Sequence, residues 1–236
     1  MRFDAPPPGE ELNLGAVTEA RQAASLILLR DSPEGPEVLL VKRNPDQRFM
    51  GGAWVFPGGA LHAEDADHAG AAVRELAEEA GIALPVDPEP VAFSRWITPA
   101  QVKVRFDTRF FVARAPEGAR AAPDGAECVD ARWLRPADAL AAGERGELML
   151  VFPTIKHLEQ LAEFDSVDEA VETTRGRTVE PVQPRVVVRD GAAERSSRSS
   201  PAWWCGTARP NCCCPASRAT TRPDNRLSAT PPGSGC

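Results

Sequence analysis

The stretch Arg74-Glu75-Leu76-Ala77-Glu78-Glu79-Ala80-Gly81-Ile82 decides how this chain is read. Upstream, Glu64-Asp65-Ala66-Asp67 is an acidic helix-start signal, and Gly81 is a C-cap, so a helix is expected over about residues 69–80. On that helix Glu75, Glu78 and Glu79 stand at i, i+3 and i+4, which puts three carboxylates on one face within one turn. Like charges so placed repel by about a few tenths of a kcal/mol per pair. A helix kept for stability alone would intersperse lysine. This one has only Arg74, four residues before Glu78, the less favourable order for a helical ion pair. Three converging carboxylates suit a hard divalent cation, Mg²⁺ or Mn²⁺. The alternative is a solvated acidic face. Context favours the site: a strand ending in Phe56-Pro57-Gly58-Gly59 leads by a loop into this helix, exposing backbone groups where a phosphate can approach.

Outward from that helix the chain alternates strands and helices. Residues 24–30 and 37–43 read as a hairpin about the turn Asp31-Ser32-Pro33-Glu34-Gly35-Pro36, and Trp54-Val55-Phe56 as a short strand ended by a Pro-Gly-Gly turn that asks for flexible φ. Further strands are expected at 91–96, 109–112 and 129–134. Helices are expected at about 153–164, with proline in the first turn, and after the capping box Ser166-Val167-Asp168-Glu169. Roughly six strands and three or more helices make a domain of mixed α/β (α+β) class. Trp96 and Trp133 read as core or pocket walls, Trp54 as core packing with stacking on a nucleobase as the alternative, His62 and His68 as exposed loop residues, and His157 as a residue on a helix surface.

The whole chain has 236 residues, 42% hydrophobic and 26% charged, ordinary values for a globular domain with a real core. Its longest clean apolar run, Leu26-Ile27-Leu28-Leu29, falls far short of the roughly 20 residues that span a membrane. Met1-Arg2-Phe3-Asp4 and Pro6-Pro7-Pro8 form neither a basic nor an apolar leader segment, so no secretory signal is expected and the cytoplasm is the expected compartment. The net charge of −7 divides unevenly: residues from Gly191 onward carry +4 and the body −11. So acidic a body is a poor partner for a nucleic-acid backbone, but it can take a phosphorylated substrate when divalent metals lie between the two sets of negative charge.

Residues 191–236 differ from the rest. They hold five of the six cysteines, are rich in Arg, Ser and Pro, and show neither strand nor helix period. Cys205 and Cys212-Cys213-Cys214 have the wrong spacing for a zinc site. The stretch reads as disordered or as an out-of-frame translation of a GC-rich gene, beyond an N-terminal extension at 1–20 and a domain at 21–190.

Gly59 to Ile82 resembles the Nudix box, G-x5-E-x7-R-E-U-x-E-E-x-G-U with U aliphatic. Its second half matches at every fixed position from Arg74 to Ile82. Its first half is one residue longer, which places Asp65 where the pattern has its first Glu, beside Glu64. Upstream, Leu39-Leu40-Val41-Lys42-Arg43-Asn44, Arg48, Gly52 and Phe56-Pro57-Gly58-Gly59 are similar to the accessory motif of coenzyme A-cleaving Nudix enzymes, L-L-T-x-R-S-x3-R-x3-G-x3-F-P-G-G, with Val41 for Thr and Asn44 for Ser.

The resemblance implies a Nudix-like α/β/α sandwich with a mixed sheet, and a metal-dependent hydrolase of a nucleoside-diphosphate-linked small molecule. Coenzyme A or its esters lead as substrate, and ADP-ribose, NADH, oxidised nucleotides or a silent ligand-sensing role are the alternatives. Under it Glu75, Glu78 and Glu79, helped by the Gly59 carbonyl, hold Mg²⁺ or Mn²⁺, and Arg74 orients the carboxylates. Glu127 is the candidate for an additional ligand or base, and Arg43, Arg48, Gly58 and Gly59 bind substrate. A homodimer is left open; no nucleic-acid or membrane partner is expected.

Overall fold

The computed structural model describes residue 13, residues 15–189 and residues 192–196. Strand β1 (Arg21–Ser32) is buried at each position from Ala23 to Leu29. A strand apolar on both faces needs cover on both. Strand β2 (Gly35–Arg43) pairs antiparallel with β1 through a tighter hairpin than the sequence predicts, with Ser32 opposite Gly35 and only Pro33-Glu34 between them. Gly35 takes φ +113° there, a value side-chain-bearing residues rarely adopt.

After β3 (Trp54–Val55) and β4 (Gly58–Ala60) comes helix α1 (His68–Ala80). Strands β5 (Val91–Ile97), β6 (Phe106–Arg114) and β7 (Cys128–Leu134) follow, then helices α2 (Pro136–Glu144), α3 (Phe152–Leu161) and α4 (Val167–Thr174), and strands β8 (Pro181–Val182), β9 (Arg185–Arg189) and β10 (Ala192–Ser196). The main sheet runs β3-β2-β1-β6-β5-β8, with β4 also on β1 and β7 also on β2. It is mixed, since β1 pairs parallel with β6 while most other pairs are antiparallel. Leu26, Leu28, Leu39 and Val41 point to one face and pack with Ala71, Ala72, Leu76 and Ala80 of α1. Ile27, Leu29, Val38 and Leu40 point to the other, where Ala139 of α2, Leu158 of α3 and Ala170 of α4 cover them. The expected α/β/α sandwich is present.

The register creates the gap in which a site can form. Lys42 of β2 pairs with Trp54 and Asp130, so β3 and β7 occupy opposite edges of β2. Ala23 of β1 pairs with Ala60 and Thr108, so β4 and β6 occupy opposite edges of β1. Strands β1 and β2 pair only from Leu29 and Val38 to the hairpin tip and then diverge. Residues 54–60 fill the divergence, with β3 on β2, β4 on β1 and Phe56-Pro57 crossing between them. Ser25 secures the crossing: its Oγ donates to the Pro57 carbonyl at 2.9 Å, and the Leu26 amide donates to the same oxygen.

Three expectations change. Helix α2 is absent from the sequence reading because Arg135, at its N-cap, makes no side-chain capping bond; only Pro136 at its start signals it. Gly58–Ala60, read as a turn, is a strand because β1 offers it a free edge. His157 is fully buried, not on a helix surface. Its Nε2 meets Ser94 Oγ at 2.6 Å among the rings of Phe56, Phe93, Trp96 and Phe110, and desolvation drives its pKa down to about 3. The β9–β10 ladder straddles residue 190; the rest of the predicted tail lies outside the described residues.

The layer beneath α1 gives a first prediction. Leu28 is 0% exposed, and Leu28→Ala is expected to lower unfolding free energy by about 2–5 kcal/mol in urea denaturation, as for other buried leucines. A loss below about 1 kcal/mol would contradict this packing.

Candidate active site

Helix α1 begins where Asp67, in extended conformation, accepts the Gly70 amide at 2.8 Å, and ends where Gly81 turns left-handed at φ +66°. These ends fix its rotation, and Ala72, Glu75, Leu76, Glu79 and Ala80 form its inward stripe. Two of the three glutamates therefore lie in the protein and one at its surface: Glu75 and Glu79 are 7% and 2% exposed, whereas the Glu78 side chain is 58% exposed.

Arg74 holds this cluster together. Its Nη1 donates to Glu75 Oε1 at 2.9 Å and Glu78 Oε2 at 2.8 Å. Its Nε and Nη2 donate to the two oxygens of Asp65 at 2.9 and 3.0 Å, and Nη2 also reaches the Ala60 carbonyl. The sequence order of Arg74 and Glu78 is unfavourable for a free helical pair, yet they pair, because Asp65 and Ala60 already fix the guanidinium. Asp65, at the position of the box's first Glu, is held down to about 2, chiefly by Arg74.

Glu79 is less well provided. Its Oε2 accepts the Gly58 amide at 2.9 Å and the buried Cys128 thiol lies beside the carboxylate, but its Oε1 is buried with no close hydrogen-bond partner among the described residues, and Arg43 Nη1 stands 3.9 Å away. Burial pushes its carboxyl up to about 7; the Gly58 amide opposes the rise and the charge of Glu75 adds to it. Burial raises Glu75 too, against the pull of Arg74.

The glycines beside the carboxylates serve by size. Neither Gly58 nor Gly59 has a positive φ, contrary to the turn expected there. A Cβ on Gly58 would stand 2.5 Å from the Ala24 carbonyl oxygen, and one on Gly59 would fall onto the Glu75 carboxylate. Backbone and carboxylates thus approach closely only because both side chains are missing.

These groups line one cleft of about 410 Å³. Of the residues singled out from sequence, Arg43, Gly58, Gly59, Arg74, Glu75, Glu78, Glu79 and Glu127 line it. Arg48 does not; it is exposed in the loop after β2. The sequence reading misses the apolar part of the lining: Phe49 and Phe106, their ring centroids 5.4 Å apart, with Met50 and Phe110. Met50 sits at φ +53°, an uncommon conformation for a side-chain-bearing residue, and nothing local in the sequence marks it. Asp124 is missed as well, since its role lies in backbone bonds to its own loop.

The donors fit a hard divalent cation. Glu79 offers a buried oxygen with no close partner among the described residues, Glu75 a second carboxylate on the same helix face, and Gly59 a backbone that comes close to the Glu75 carboxylate. Among the described residues no three ligating side chains converge on one point, because Glu75 and Glu78 lean on Arg74.

Comparison with known proteins gives the family. The NUDIX domain family model matches residues 20–151. A NUDIX hydrolase crystal structure from Alicyclobacillus acidocaldarius is 28% identical, with a TM-score of 0.60 over 70% of this chain and 99% of that one. Putative nudix hydrolase 7 of Caenorhabditis elegans is 26% identical over 66% of this chain and 65% of its own length. Human acyl-coenzyme A diphosphatase NUDT19 is 25% identical over 62% of this chain and 66% of its own. The chain thus spans just under two thirds of the length of these two relatives. The chain belongs to the Nudix family, whose hydrolases generally use divalent metal ions. No helix among the described residues is long and apolar enough to cross a membrane.

The raised Glu79 carboxyl has a consequence for stability. The fold binds this proton more tightly than the unfolded chain does, so metal-free stability falls as pH rises from about 4.5 to about 7. The loss amounts to at most about 3 kcal/mol. Glu79→Gln keeps an acceptor for the Gly58 amide and removes the charge. At pH 8 in chelator the variant is expected to be about 1–3 kcal/mol more stable than the parent in urea denaturation. An identical pH slope in both proteins would contradict the assignment.

Proposed function

We propose that this chain is a divalent-metal-dependent pyrophosphohydrolase acting on a nucleoside-diphosphate-linked small molecule, with coenzyme A or its esters the leading substrate. The observation that carries the reading is the buried, unsatisfied Glu79 oxygen beside Glu75 on the wall of a cleft whose floor is Gly58-Gly59. Trp133, His157 and Gln160 also keep a buried polar atom without a partner, but of the four only Glu79 lines the cleft and carries a carboxylate, the group for which a cation would be the natural complement.

Glu75 and Glu79, with Glu78 at the rim and the Gly59 backbone, would hold Mg²⁺ or Mn²⁺. A bound ion supplies neutralisation of the pyrophosphate charge and acidification of water. The chain's own residues do the rest. Arg74 aims Glu75 and Glu78 through its hydrogen bonds, and Arg43 offers a guanidinium to a phosphate. Glu127, also on the cleft lining, takes the proton of the attacking water as its oxygen bonds to one phosphorus; the P–O–P bridge breaks and the other phosphate leaves. With coenzyme A the products are 3′,5′-ADP and 4′-phosphopantetheine. Two observations support that substrate: the spacing Arg43, Gly52, Phe56-Pro57-Gly58-Gly59, and the similarity to the human acyl-coenzyme A diphosphatase. The apolar wall of Phe49, Met50 and Phe106 suits the non-phosphate part of such a molecule.

Purified protein with Mg²⁺ or Mn²⁺ is expected to release both products from coenzyme A, and Glu79→Gln to lose about 10²–10⁴-fold in kcat, the range seen on removing a group that acts in the transition state. Turnover of ADP-ribose or NADH alone would keep the mechanism and refute the coenzyme A assignment. A folded protein that cleaves none of the three would refute the hydrolase reading.

A further inference from the structure

We propose that Asn44 is a positioning residue for Glu127, clasping the loop that carries it to the loop that follows β2. The inference rests on the reading of Glu127 as a group that acts in the hydrolysis.

The loop 124–128 is pinned from two sides. From within, Asp124 accepts the amides of Glu127 at 2.9 Å and Cys128 at 2.8 Å, and the Gly125 amide closes the turn on the Cys128 carbonyl at 2.8 Å. From outside, Asn44 takes both preceding carbonyls. Its backbone amide donates to the Glu127 carbonyl at 2.8 Å, and its Nδ2 donates to the Ala126 carbonyl at 2.9 Å. Both backbone groups of Glu127 are therefore tied, leaving its side chain on the wall of the cleft, where its charge is felt by Glu75.

Asn44 holds its own loop as well. Its Oδ1 accepts the Asp46 amide at 3.0 Å and its carbonyl accepts the Gln47 amide at 3.0 Å. One side chain thus joins two loops that each contribute residues to the cleft, using an amide's ability to donate at one end and accept at the other. The preceding residue, Arg43, is the proposed phosphate contact, and it lies at a register shift in the pairing of β2 with β7. The clasp follows directly after that irregularity, where ladder bonds alone would leave the two loops free to drift. A displacement of about 1 Å in a reacting group is enough for a 10²-fold rate loss.

Asn44→Asp is the informative variant. It keeps the size and the acceptor for the Asp46 amide, and it sets a carboxylate oxygen against the Ala126 carbonyl where a donor stood. Two measurements decide. In metal-free protein, the amides of Glu127 and Cys128 are expected to exchange with solvent about tenfold faster or more in Asn44→Asp, with α1 unchanged. With the best substrate of the panel, kcat is expected to fall about tenfold with KM within about twofold, and Glu127→Gln to fall about 10²-fold or more. The double variant is expected to be no slower than Glu127→Gln alone, because a misplaced base costs nothing once the base is gone.

A merely structural Asn44 would lower the rate of the Glu127→Gln protein by the same factor as the parent's. That additive result, or unchanged exchange in 124–128, overturns the positioning role while leaving the hydrolase reading intact. Wild-type kcat in Glu127→Gln overturns the role of Glu127 and this one with it, with Glu79→Gln still inactive. No turnover by the parent overturns both.

Discussion

Two carboxylates stand on the inward stripe of α1, where a soluble fold ordinarily places alanine and leucine, and the arrangement depends on how their charge is met. A buried carboxylate is strongly unfavourable unless it is paired and hydrogen-bonded. Arg74 meets one of the two: its planar fork contacts Asp65, Glu75 and Glu78 at once, which no lysine point charge would do. Glu79 receives the Gly58 amide, the weakly donating Cys128 thiol and a distant guanidinium. The result is one charge short, and that shortage is what the proposed divalent cation would complete.

That shortage needs the backbone to come near, and the sheet arranges it. Strands β1 and β2 separate beyond Leu29 and Val38, and the seven residues 54–60 bridge the opening while pairing with both. Because β4 lies on β1, Gly58 and Gly59 are pressed between Ala24, Ser25 and the Glu75 carboxylate. A residue with a side chain at either position would push apart the elements that define the cleft. The core on the far side of the sheet reaches this bridge too, since Phe56 packs on the buried His157.

The sequence makes the helix and its chemistry legible for local reasons. Asp67 and Gly81 are end signals that act within one turn, and the spacing of Glu75, Glu78 and Glu79 is a property of any helix. What escapes it is set by distant parts of the chain. Which glutamate is buried depends on the sheet beneath α1. Gly58–Ala60 becomes a strand only because β1 has a free edge. His157 turns inward because Ser94 and four aromatic rings from three other segments surround it. The apolar wall joins Phe49 to Phe106, far apart in the chain, and Asp124 and Asn44 act through backbone bonds that residue types do not announce.

The most direct test of the account is Mn²⁺ binding to the metal-free protein, followed by electron paramagnetic resonance across pH 5.5–8.5. The account predicts saturable binding that tightens as pH rises through about 7, where the Glu79 proton is displaced, and that weakens sharply in Glu79→Gln. Equal affinity in parent and variant, or binding indifferent to pH over that range, would contradict the claim that the unsatisfied Glu79 oxygen is what the cation completes.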